Sequence, residues 1–348
     1  MNDFVTRAGG IGLLVTALLA PDAWAARDFE LYARLAATVA KIEAHNPDGS
    51  TSFGSAVMVA PGKLVTNCHV TRNANSIEVI KSGLRWDAHQ QQSDIEHDLC
   101  LLYVPAAETL VARLGSGKLK VGQQVYAIGF VGGLGPRFSA GEVRALYNYD
   151  GGKVIQTTTP FHGGASGGGL FDEQGFLVGV VTFRSRLDQT YHFSLPVSWV
   201  STSLAMSKAS EVAPLPVGDS AFWQKRDENQ PYFLRAATME AAREWGDLLQ
   251  LAGKWSVTEK NNADSWLALG KARYHLHQAE EAITAYRQAL MIDPDYPQAW
   301  YNLGLVYLEQ NRRNELEEVR KTLAAFDPEL ADQLKSIPAG KAPAQTNN

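Results

Sequence analysis

The chain has 348 residues, 45% of them hydrophobic and 20% charged, an ordinary globular composition long enough for more than one core. A formal net charge of −5 offers no basic footprint of the kind nucleic-acid binders carry, which argues against nucleic acid as a partner. Its only cysteines, Cys68 and Cys100, form an even pair.

At the N-terminus, Arg7 precedes an apolar stretch from Ile11 to Ala20, and the small residues Ala23 and Ala25 flank Trp24. That is the layout of a secretory signal peptide over residues 1–25, cut after Ala25. A membrane anchor is the alternative, but the stretch is much shorter than the ~20 residues a spanning helix needs. Export to the periplasm is therefore expected, with no stable membrane insertion afterwards and an oxidising environment for both cysteines.

Residues 28–205 read as one strand-rich domain. From Thr38 to Pro196 the text is short apolar runs such as "GSAVMVA", "KLVTN", "DLCLLYV", "QQVYAIGF" and "FLVGVVTF". Asp150-Gly151 and the "DEQG" at Asp172–Gly175 sit between runs as hairpin turns. Many short strands at this spacing predict an antiparallel barrel or sandwich. Residues 206–230 are rich in turn and breaker residues and read as a linker.

Residues 231–336 switch to helical periodicity, and a repeat is visible. "WLALGKARY" starts at Trp266 and "WYNLGLVYL" at Trp300, while Pro294 and Pro328 follow at matching offsets, a period of 34 residues in both cases. That is the period of a tetratricopeptide (TPR) helix pair. The first copy resembles that family at Leu269, Gly270, Ala282, Tyr286, Ala289 and Pro294, the second at Leu303, Gly304, Tyr307 and Pro328. Leu316 and Arg320 depart from the pattern, as a capping repeat would, and "YFLRAATMEAAREWGDLLQLAGKWSVTEK" looks like a degenerate earlier pair. Residues 337–348 are expected to be a disordered tail.

Chemistry concentrates in "HGGASGGGL", His162–Leu170, where one hydroxyl sits among glycines. Glycine backbone is entropically costly, so such a cluster implies close approach or unusual turns and marks Ser166 as a candidate nucleophile. A serine needs a base and a group to orient that base. "LVTNCHVT" offers His69 and "DIEHDLCLLYV" offers Asp98.

With those stretches, together with "YAIGFVGGLGPRFSAGEVRAL", "IQTTTPFHGGASGGGL" and "HFSLPVSWV", the chain from Thr38 to Val200 resembles a trypsin-like serine protease of the bacterial HtrA (DegP-like) branch. The resemblance implies a chymotrypsin-like double six-stranded β-barrel with its active site between barrels, here followed by an α-helical TPR solenoid. It implies that Ser166 attacks, His69 carries the proton, Asp98 orients the imidazole, and the backbone N–H groups of Gly164 and Ser166 form the oxyanion hole. Thr182 stands in the place of a family residue that hydrogen-bonds the buried aspartate. The pocket wall is expected near Pro160, Phe183, Arg184 and Tyr191; with no acid at Pro160, a demand for Lys or Arg is not expected. Ala165, where Asp or Asn is usual, removes a common brace of the oxyanion loop, and Gly169 replaces a common proline, so latency is an expectation too.

Asp94 is the competing acid, but only Asp98 directly precedes an apolar strand. His97 is expected to point to the other face and be solvated, and His162 to line the cleft. His45, His89, His275 and His277 show no ligand spacing, so neither metal nor cofactor is assigned. If imidazole and carboxylate meet, Cys68 and Cys100 must lie near each other; a disulfide is expected, the alternative being two buried free thiols. The expected function is an exported serine endopeptidase whose TPR repeats recruit substrate or a partner protein. A catalytically latent, protease-like scaffold that binds protein is the alternative, and an esterase a third possibility.

Overall fold

The computed structural model describes residues 21–133, 135–184, 191–206 and 208–337. Residues 1–20 of the expected signal peptide and 338–348 of the expected tail lie outside them. The first described element is helix α1 (Pro21–Ala36), so the expected cleavage point after Ala25 falls within a helix. No helix among the described residues is long and apolar enough to cross a membrane.

The first sheet contains β1 (Val39–His45), β2 (Thr51–Ala60), β3 (Lys63–Asn67), β4 (Ser76–Lys81), β5 (Leu84–Asp87), β6 (Gln90–Asp94) and β7 (Leu99–Tyr103). Their order is β6-β7-β3-β2-β1-β4-β5. The second contains β8 (Arg113–Leu114), β9 (Gln124–Phe130), β10 (Pro136–Tyr149), β11 (Gly152–Thr157), β12 (Gly169–Asp172), β13 (Phe176–Arg184) and β14 (His192–Pro196). Here β12 pairs with both β9 and β13, which closes a six-stranded antiparallel barrel, and β8 adds in parallel to β13. Both expected hairpin turns are present, between β10 and β11 and between β12 and β13.

The near-continuous apolar text of the first sheet has a physical cause. Successive side chains of a strand point to opposite faces, and here both faces are buried. Ala56 and Met58 pack with Ile42, Leu64 and Leu102 on one side, while Val57 and Val59 join a core that runs through the second barrel into the helices. Burying each such side chain is worth roughly 1.5–3 kcal/mol. The two sheets are therefore welded along one face, and the loops at that seam carry the chemistry.

The stretch 206–230 differs from the linker expectation. β15 (Ser210–Glu211) pairs with β6 as an eighth strand, Leu215 is buried against Cys68 and Cys100, and Ala221 and Phe222 are buried. These three apolar anchors, with Phe222 N–H donating to the Glu96 carbonyl at 3.0 Å, hold this strap down despite its turn-rich composition. After α2 (Cys68–Thr71) and α3 (Val197–Ala205), the helical half comprises α4 (Tyr232–Ala242), α5 (Trp245–Thr258), α6 (Ala263–His275), α7 (Ala279–Ile292), α8 (Pro297–Glu309), α9 (Arg313–Ala324) and α10 (Pro328–Ser336). A side chain at Gly270 would meet the Tyr286 ring at 2.4 Å, so the glycine of the repeat motif is what lets α7 lie on α6. Leu316 is buried beside Val319, Leu323 and Leu334, and α10 covers the last pair as a cap.

Barrel and repeats share an interface as well as a core. The Tyr147 and Phe233 rings stack at 5.2 Å. Asp264, buried at the start of α6, accepts from the Asn148 backbone N–H at 2.7 Å, from Asn148 Nδ2 at 3.0 Å and from the Tyr296 hydroxyl at 2.6 Å.

Candidate active site

β3 ends at Asn67 and the chain turns at once into the single turn of α2, which lifts His69 out of the first sheet. β7 pairs with β3 so that Thr66 lies opposite Cys100 and Asn67 opposite Leu99, which sets the preceding residue, Asp98, beside α2. Asp98 adopts φ 58, a left-handed backbone that aspartate tolerates better than most residues. Its Oδ2 lies 2.6 Å from His69 Nδ1, and its Oδ1 accepts the His69 backbone N–H at 2.8 Å. The Asp98 side chain is 1% exposed and the His69 side chain 24%, so the carboxylate is dry while one edge of the imidazole faces the cleft. The same strand pairing brings the sulfurs together: Cys68 and Cys100 form a disulfide, with Cα atoms 4.9 Å apart.

Ser166 approaches from the second barrel. Gly164 has φ +95 and a Cβ there would sit 2.5 Å from the Phe130 carbonyl oxygen, so only glycine fits the turn before the serine. Ala165 N–H donates to the His162 carbonyl at 3.0 Å and Ser55 N–H to the Ser166 carbonyl at 2.8 Å. Among the described residues, the N–H groups of Gly164 and Ser166 donate to no backbone or side-chain group, leaving two donors available at the seam. The Ser166 hydroxyl itself donates to the Thr182 carbonyl oxygen at 3.1 Å, and among the described residues it makes no hydrogen bond to His69. His69 and Asp98 are thus joined; the serine stands at the same seam with its hydroxyl turned to β13.

Three residues here went unnoticed in the sequence. Ser55 is fully buried; its hydroxyl accepts from Phe130 N–H and donates to the Gly164 carbonyl, both at 2.8 Å. It braces from the first sheet the loop that Ala165 cannot brace. Asn67 Nδ2 bridges the Asp98 carbonyl and Thr182 Oγ1, each at 3.0 Å. Trp223, from the strap, donates its indole N–H to Asp98 Oδ2 at 3.1 Å. This corrects the role expected for Thr182, whose hydroxyl donates to the Val180 carbonyl at 2.8 Å and reaches Asp98 only through Asn67.

His97 is likewise corrected. It is not solvated: its Nδ1 lies 2.7 Å from Asp94, its Nε2 2.9 Å from Asp150 of the second barrel, and its ring 4.0 Å from the Trp199 ring. Burial alone would pull this imidazole down, but Asp94 and then Asp150 outweigh it and hold it above its ordinary value. Asp94 is thereby engaged away from His69.

The four expected pocket residues differ in their surroundings among the described residues. Pro160 lines a cavity of about 370 Å³ with Phe161, His162, Arg137 and Phe138. Phe183 is buried, its ring stacked at 4.7 Å on Phe193 and 4.9 Å on Trp223, so the strap covers it. Arg184 is exposed on β13, and the segment between it and Tyr191 lies outside the described residues. Behind them the His192 ring meets Phe161 edge-on at 4.7 Å; burial first, then Arg184 and His162, hold its imidazole down to about 4. At the far edge of the first sheet, register places Glu43, His45 and Glu78 together, a grouping not visible from spacing. Arg85 pairs with both carboxylates there, and Lys41 with Glu43, so the cluster's charge is already met by cations.

Residues 54–180 match the trypsin-like peptidase domain and residues 270–311 the TPR repeat. The chain is 35% identical over 143 residues to the periplasmic serine endoprotease DegP of Salmonella typhimurium, a match covering 38% of this chain and 30% of that protein. It is 35% identical over 140 residues to the periplasmic pH-dependent serine endoprotease DegQ of Escherichia coli, covering 37% and 31%. Among solved structures it is similar to a serine endoprotease from Yersinia pestis, at 25% identity and a TM-score of 0.46, covering 51% of this chain and 65% of that one. The matched region spans about a third of the length of the curated relatives. The chain is thus similar over residues 54–180 to a trypsin-like peptidase domain, with DegP and DegQ serine endoproteases among its homologues, and over residues 270–311 to a TPR repeat.

Proposed function

We propose that the protein is an exported serine endopeptidase acting through Ser166, His69 and Asp98. The observation that carries this reading is the 2.6 Å contact between a buried Asp98 carboxylate and His69 Nδ1, which fixes the imidazole with Nε2 free for the cleft. In the reaction, the Ser166 oxygen attacks the scissile carbonyl while its proton passes to His69 Nε2. Asp98 stabilises the imidazolium that forms. The oxyanion is met by the N–H groups of Gly164 and Ser166, a contribution of about 2.7–4 kcal/mol per donor where one has been removed. His69 then returns the proton to the departing amine, and water resolves the acyl-enzyme by the same route.

The resting arrangement favours a latent enzyme. The Ser166 hydroxyl donates to the Thr182 carbonyl and not to His69, so attack on substrate requires it to leave that carbonyl for the imidazole. The TPR array is the proposed recruiting surface; a cavity of about 810 Å³ lined by Met291, Trp300, Leu303 and Tyr307 offers an apolar groove for an extended or helical segment. Periplasmic residence follows the named location of the DegP and DegQ relatives.

Digestion of a denatured periplasmic protein mixture by the wild type beside Ser166→Ala tests the proposal. New termini only with the wild type are expected; identical products from both would overturn it.

A further inference from the structure

We infer that Trp223 is a positioning residue of the peptidase site, supplied by the strap that leads to the TPR repeats; the inference rests on the protease reading above. Three contacts carry it. The indole N–H donates at 3.1 Å to Asp98 Oδ2, the same oxygen that holds His69 Nδ1. The ring stands edge-on to the His69 imidazole at 5.5 Å. Its face stacks on Phe183 at 4.9 Å with an interplanar angle of 5°.

A buried carboxylate needs its lone pairs met, and hydrogen bonds to charged groups are worth more than neutral ones. Thr182 spends its hydroxyl on Val180 and Asn67, so among the described residues the only donors to the Asp98 carboxylate besides His69 come from Trp223. The indole fixes the Oδ2 that orients the imidazole, and its ring stands edge-on beside that imidazole.

Trp223 is itself held by the strap. Gln230 Nε2 donates to the Trp223 carbonyl at 3.3 Å and to the Lys225 carbonyl at 3.1 Å. Lys225 Nζ lies 2.7 Å from Glu96, two residues before Asp98. Gln230 is followed directly by Pro231 and α4, so the first helix of the repeat half and the orientation of the catalytic base are joined by a few bonded residues.

Trp223→Phe tests this in the full chain, because phenylalanine retains an aromatic ring to stack on Phe183 while it removes the indole N–H. We expect kcat on a short peptide substrate to fall about tenfold with KM within twofold, and to fall further in Trp223→Ala, which also removes the ring contacts with His69 and Phe183. Each tryptophan gives one indole signal in a proton–nitrogen correlation spectrum, and the one that Trp223→Phe deletes should shift in Asp98→Asn. Unchanged kcat in Trp223→Phe, or a Trp223 indole signal indifferent to Asp98→Asn, would overturn the inference. The spectrum reads the contact even if the wild type cleaves nothing, so failure of the protease reading is told apart from failure of this one.

Discussion

Replacing Ser55 by alanine tests whether a residue of one sheet preorganises a loop of the other. The hydroxyl is fully buried and makes two 2.8 Å bonds, from Phe130 N–H and to the Gly164 carbonyl. Lost hydrogen bonds of this kind cost about 1 kcal/mol each, and a backbone group left dry and unpaired costs about 1–3 kcal/mol. The variant is therefore expected to lose about 2–4 kcal/mol of unfolding free energy. If the released loop also withdraws the Gly164 N–H, the catalytic barrier rises by up to about 2.7–4 kcal/mol. Because the Ala165-to-His162 turn survives the substitution, part of that is retained, and kcat should fall at least about tenfold with KM changed less than twofold. Guanidinium unfolding and steady-state kinetics at one pH read both quantities. A variant destabilised as expected but with wild-type kcat would show that Ser55 only packs the seam; one unaltered in both would refute the bracing argument.

Other consequences are equally concrete. Holding His192 near 4 against an ordinary 6.5 means that the unfolded chain binds the extra proton between those values, so this residue's contribution to stability falls as pH drops through that window. At pH 5 the linkage is worth about 2 kcal/mol, and His192→Gln should flatten the pH dependence of the denaturation midpoint by about that much; an unchanged slope would contradict the assignment. The Cys68–Cys100 bridge closes a loop with a sequence separation of 32, worth about 3–4 kcal/mol. Cys68→Ala/Cys100→Ala should unfold at correspondingly lower denaturant and lose kcat, since the bridge flanks His69 and Asp98; an unmoved midpoint would contradict this. Asp264→Ala removes the buried acceptor of the Asn148 N–H and the Tyr296 hydroxyl, so we expect about 1–3 kcal/mol of destabilisation. Limited proteolysis should then cut first between strap and repeats; an unchanged cleavage pattern would count against that interface.

Much of this molecule could be read from its residues. Apolar runs cut by Asp-Gly and "DEQG" turns expose the strands, and the repeat of Trp, Leu-Gly and Pro exposes the helix pairs because Gly270 must admit the Tyr286 ring. The strap was illegible for the opposite reason. Its docking is decided by Leu215, Phe222 and Trp223, which follow no period among prolines and glycines; the "AFW" triplet was the only hint. Ser55 and Asn67 each lie inside a quoted apolar run, but their partners across the seam, Phe130 and Thr182, are more than seventy residues away and cannot be inferred from spacing. His97 was misread because alternation along a strand does not govern a residue in the turn before β7, where Asp94 and Asp150 capture it. The orientation of the Ser166 hydroxyl is a choice among rotamers that composition does not encode.

The central claim is that His69 makes the Ser166 oxygen a nucleophile. Reaction of the full chain with a fluorophosphonate, followed by peptide mass mapping, should place a single adduct on Ser166, absent in Ser166→Ala and formed at least a hundredfold more slowly in His69→Ala. An adduct whose rate is indifferent to His69, or no adduct on Ser166 in the presence of unfolded protein substrate, would contradict the account.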